Sequence, residues 1–166
     1  MTIEWDLSSS HTRRDIGSDQ SVDSNHDQMN AVASARITLP DGKVFEADDV
    51  QDIRIDFEGD DVETIEVVLN PRRAEEAHRR ASALAEQWDL SRRGLDEWLE
   101  MIRTARSAGE READVGQALA TDSSDVNGIF HPSVEIRSSF DDDKPSVVAF
   151  VMYWVPERDR FPIPEE

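Results

Sequence analysis

Cysteine is missing from this 166-residue chain, which removes disulfide staples, thiol nucleophiles and cysteine-based zinc sites at once. Lysine is nearly missing, since Lys43 and Lys144 are the only two among 18 basic residues. Long apolar runs are missing too. The longest, Val147 to Val155, falls far short of the ~20 residues that a bilayer-crossing helix needs. Met1-Thr2-Ile3-Glu4-Trp5-Asp6 offers neither a basic start nor an apolar stretch, so it does not read as a signal peptide. The chain as written is expected in the cytoplasm, or outside the cell if Met1 is not the native start and a leader preceded it. No nucleophile elbow, phosphate-cradling glycine loop or dinucleotide fingerprint occurs.

Acid is abundant. Thirty-seven Asp and Glu against 18 Lys and Arg give a net charge of −19. Such a field repels a phosphate backbone and an anionic membrane surface, and it permits a basic partner protein. The plainer role of this charge is solubility. Its distribution is uneven: −4 over residues 1–34, −8 over 35–70, +1 over 71–111 and −8 over 112–166. The negative field therefore belongs to everything except residues 71–111, which are rich in Arg.

Residues 1–30 read as a short apolar element followed by a flexible acidic and polar tail, and residues 31–166 as one α+β domain. Ile3, Trp5 and Leu7 alternate with polar neighbours, which suggests a strand or docking peptide. Residues 8–30 offer only Ile16, Val22 and Met29 as sizeable apolar side chains, too few to offset ordering entropy. Alternation predicts a strand up to Leu39, a Pro40-Asp41-Gly42 turn and a return through Lys43-Val44-Phe45. A second hairpin pairs Ile53–Phe57 with Val62–Leu69, and a third pairs Val134–Phe140 with Val147–Val155. The last strand is apolar on both faces and is placed centrally.

Asn70-Pro71 switches the period to that of a helix, with Ala74, Ala77, Ala81, Leu84, Ala85 and Trp88 on one stripe. Glu75 with Arg79 and Glu76 with Arg80 have the spacing of intrahelical pairs. Ser91 opens a second helix carrying Leu95, Trp98, Leu99 and Ile102, with Leu90 and Leu95 spaced as a hydrophobic staple. Residues 110–133 read mostly as loop. The expected fold is a mostly antiparallel sheet of about five or six strands with an α-helical hairpin on one face.

Motifs with chemistry are sparse. Asp15, Asp19, Asp23 and Asp27 recur every four residues, a spacing that suits either a solvated acidic linker or a segment that folds on a basic surface or binds divalent ions. Asp125-Val126-Asn127-Gly128 resembles the middle of a calcium loop, but the alignment puts Ser123 and Val134 where carboxylates are required. His11, His26, His78 and His131 form no metal-binding spacing, so neither a metal nor a cofactor is expected. His131 is the one candidate general base, and no nucleophile stands beside it in sequence. A hydrolase built on His131 and scattered carboxylates is the weakest reading. The strongest is a non-enzymatic protein-binding module of the immunity or inhibitor type that docks a basic protein. Another is the soluble part of an exported or surface-anchored accessory protein. Expected contact residues are the acidic turns Asp48-Asp49, Asp60-Asp61 and Asp141-Asp142-Asp143, together with Trp5.

Overall fold

A computed structural model describes residues 1–18, 25–121, 129–138 and 143–156. In chain order the elements are β1 (Thr2–Asp6), β2 (His26–Met29), β3 (Ser34–Thr38), β4 (Val44–Ala47), β5 (Val50–Glu58), β6 (Asp61–Leu69), α1 (Ala74–Gln87), α2 (Arg93–Ser107), β7 (Ala118–Thr121), β8 (Phe130–Ser138) and β9 (Ser146–Trp154). Six strands form one antiparallel sheet in the order β2-β5-β6-β9-β8-β7. The remaining three form a small sheet, β1-β3-β4, in which β1 runs parallel to β3. The fold is α+β, as its alternating and helical periods predict.

All three expected hairpins are present, because each alternating segment has one dry side that only a sheet can bury together. Ile53, Ile55 and Phe57 of β5 and Ile65, Val67 and Leu69 of β6 face the core. β9 lies between β6 and β8, the interior position that its apolar composition requires. α1 packs on β8 and β9, and α2 packs on β7. Phe150 of β9 ties these layers together. Its ring stacks on Phe45 of β4 at 4.7 Å and meets Trp88, just past α1, at 4.6 Å. The small sheet and the helix pair therefore cover the same face of the large sheet.

Several expectations need correction. The front end is not a loose tail over its described residues. β1 is a full member of the small sheet, and Ile3, Trp5 and Leu7 enter the main core. Residues 13–16 form a 3-10 helix with a reciprocal Thr12–Asp15 capping box, and His26–Met29 pair with β5. Polar chemistry does here what apolar burial cannot. Arg13 is 6% exposed, lies 3.9 Å from the Phe57 ring centroid and donates Nε to the Gly59 carbonyl at 2.9 Å. Backbone bonds Arg13 N to Asp60 O and Phe57 N to Asn25 O complete the seam.

Asn70 does not cap α1. The Arg72 backbone exchanges hydrogen bonds with Ser146, which holds this stretch extended until Arg73. The expected pairs of Glu75 with Arg79 and Glu76 with Arg80 are replaced by tertiary ones: Glu75 takes Arg106 of α2, and Arg80 takes Asp49. The start of α1 thus meets the end of α2, as in a helical hairpin. Residues 110–121, read as loop, hold a 3-10 turn and the edge strand β7.

Candidate functional site

With the helices and small sheet on one face of the large sheet, its register decides which side chains occupy the other. Partners across the sheet place His26 opposite Asp56, Gln28 opposite Arg54, Glu66 opposite Val151, and His131 opposite Tyr153. Asp52, Thr64, Glu135 and Arg137 share this face by strand alternation. It is solvent-facing: the side chains of His26, Asp56 and Arg54 are 55%, 56% and 43% exposed. At the β7 edge it ends in Leu119, half exposed.

A charge network crosses this face. Arg54 Nη1 lies 3.6 Å from Glu66 and its Nη2 lies 3.4 Å from Asp52. Glu66 also accepts from Arg137, which donates Nε to Glu135 at 2.7 Å. Burial works against the Arg137 charge, yet the hydrogen bonds to Glu66 and Glu135 outweigh it and hold its pKa above the ordinary arginine value. At the β2 edge, His26 Nδ1 and Asp56 Oδ1 are 2.7 Å apart. His131 stacks on Tyr153.

About a third of the net −19 lies in one hairpin. Residues 50–69 carry Asp52, Asp56, Glu58, Asp60, Asp61, Glu63 and Glu66 against Arg54 alone, a net −6. Asp60 and Asp61 are exposed at its turn. The other expected contacts lie elsewhere. Val50 pairs with Leu69, whereas Glu58 pairs with Asp61, so Asp48 and Asp49, just before Val50, sit at the opposite end of this hairpin. Asp143 is exposed in the β8–β9 connection, at the Asp49 end, where Ser146 bridges to Arg72. Asp48 is exposed, but Asp49 is mostly covered and turned inward to Arg72 and Arg80. Burial lowers the pKa of both arginines, and at Arg72 repulsion from Arg80 adds to it. Trp5 is 7% exposed and packs in the chain's own core. Asp141 and Asp142 lie outside the described residues, as do Asp19, Asp23 and residues 122–128 of the calcium-loop resemblance. Among the described residues, the acidic turns do not converge on one patch.

A polar cleft of about 520 Å³ runs along the two helices between Glu75, His78, Arg79, Asp96, Leu99, Glu100 and Arg103. His78 Nε2 and Asp96 Oδ1 are 2.7 Å apart there. No serine or threonine lines this cleft, and among the described residues no group of three or more His, Asp or Glu is arranged to hold a metal ion. His78 shows no metal-binding spacing in the sequence. Its pairing with a residue 18 positions away has no local signal.

No family model matches the chain, and neither a curated protein nor a solved structure matches it.

Proposed function

We propose that this chain is a non-enzymatic protein-binding module that docks a basic partner protein through the open face and turn of the β5–β6 hairpin. One observation carries the reading. A hairpin of net −6 buries its apolar side in the core, with Asp56 exposed on the open sheet face and Asp60 and Asp61 exposed at the turn. A rigid sheet fixes the spacing of those charges, which favours selective recognition and fast, salt-sensitive association. An immunity or inhibitor role, in which a basic protein is neutralised by capping, fits this chemistry.

The test is affinity capture from the native host with the wild-type chain and with a variant carrying Asp56→Asn, Glu58→Gln, Asp60→Asn, Asp61→Asn and Glu63→Gln. A specific basic protein is expected with wild type at low salt, and it is expected to be lost at high salt and with the variant. Equal recovery by the variant, or no specific protein at either salt, overturns the proposal.

A further inference from the structure

Within that docking face, and resting on the reading just given, we infer that Asp52 is the anchor carboxylate onto which the partner seats a cationic side chain. Asp52 differs from every other acid of the hairpin. It is 6% exposed, whereas Asp60 and Asp61 are exposed at the turn and Asp56 is 56% exposed. Its Oδ2 accepts from Gln28 Nε2 at 3.2 Å and from Arg54 Nη2 at 3.4 Å. Its Oδ1 is buried and accepts no hydrogen bond among the described residues.

Charge-assisted bonds of this kind normally close to about 2.7–2.9 Å. The Arg54 contacts to Asp52 and Glu66, at 3.4 and 3.6 Å, are long for that class. Asp52 is therefore already withdrawn from water and only loosely neutralised, with one acceptor oxygen unused. Most of the desolvation that weakens an interfacial ion pair has occurred in the free protein, so an incoming guanidinium or ammonium group gains more here than at a solvated carboxylate. Access is local. Gln28 is exposed on the edge strand β2 and Arg54 is 43% exposed, so either can swing aside without moving the backbone.

The experiment uses a defined probe, a blocked hexa-arginine peptide, titrated into the isotope-labelled full chain while amide chemical shifts are followed. Wild type is expected to show a footprint centred on Gln28, Asp52, Arg54 and Glu66. Asp52→Asn is expected to weaken binding roughly tenfold. The charge-matched Asp60→Asn is expected to weaken it by no more than about threefold, as for a solvated pair. Gln28→Ala, which frees Oδ2, is expected to tighten binding. Should Asp52→Asn fail to fold, Gln28→Ala decides alone: unchanged or weaker binding overturns the anchor. Equal losses for Asp52→Asn and Asp60→Asn, with the footprint still on the hairpin, overturn the anchor and leave the docking face standing. A footprint away from the hairpin overturns both.

Discussion

Glu66 of β6 and Arg137 of β8 meet above β9, a strand to which neither belongs. The guanidinium crosses at the level of Ala149, which is wholly buried although it stands on the open face. The small residue at this point leaves room for the crossing. Their side chains are 16% and 24% exposed, so each charge depends on the other for much of its compensation. Arg137→Met is expected to destabilise the chain by about 2 kcal/mol, because Glu66 and Glu135 lose a shared cation in a partly dry site. Adding Glu66→Gln to Arg137→Met is expected to recover part of that loss. Urea unfolding of the two variants measures it, and a cost under about 0.5 kcal/mol for Arg137→Met would show the crossing pair to be ornamental.

Local pattern accounts for what could be foreseen. Each hairpin has its alternation and turn within 25 residues, and both helices have apolar stripes of 3.6 period, so the fold class is legible. The ties made over distance were not. Arg13 in the core is a charged residue in a polar stretch, and its burial depends on Phe57 and Gly59, more than 40 positions away. Arg80 turns to Asp49 rather than to Glu76 because the end of the small sheet lies beside α1, a proximity that no window of sequence contains. The candidate site divides in the same way. Turn composition alone points to Asp60 and Asp61. The low exposure of Asp52 follows from its flanking strands, and nothing in its immediate sequence signals it.

Trp5 provides a direct check on the front end. With 7% exposure and neighbours throughout the core, Trp5→Ala is expected to cost about 3–5 kcal/mol. Thermal or urea unfolding measures the loss. A near-neutral variant would mean that β1 is detachable and that Trp5 is available to a partner after all.

Acid sensitivity follows from two carboxylates with lowered pKa values. At Asp15 the main cause is the Thr12 backbone N–H, 2.7 Å from Oδ2. At Glu75 it is the hydrogen bond from Arg106. A depressed folded-state pKa contributes stability that is complete above the ordinary value, 3.8 for Asp15 and 4.5 for Glu75, and is lost as pH falls through the lowered one. Asp15→Asn is therefore expected to cost up to about 1 kcal/mol at pH 7, because an amide oxygen is a weaker acceptor for the Thr12 backbone N–H than the carboxylate. The gap to wild type should close below pH 3.8 as the wild-type carboxylate protonates. Unfolding midpoints measured against pH test this, and a gap that persists unchanged in acid would assign the loss to packing instead.

Gly94 makes the sharpest prediction about the helix–sheet seam. It stands in the first turn of α2, where alanine would ordinarily strengthen a helix by up to about 1 kcal/mol. A Cβ added there meets the Leu119 carbonyl oxygen at 2.5 Å. That atom belongs to the backbone of β7, so no rotamer change relieves the clash, and either the helix start or the edge strand has to move. β7 is the weaker of the two, with four residues and one paired edge. Gly94→Ala is thus expected to destabilise the chain by roughly 1–3 kcal/mol despite the propensity gain. The same displacement should raise hydrogen exchange through β7 while β5 and β6 keep their protection. A stabilised Gly94→Ala variant, or exchange that rises uniformly through the large sheet, would refute the close approach of α2 to β7.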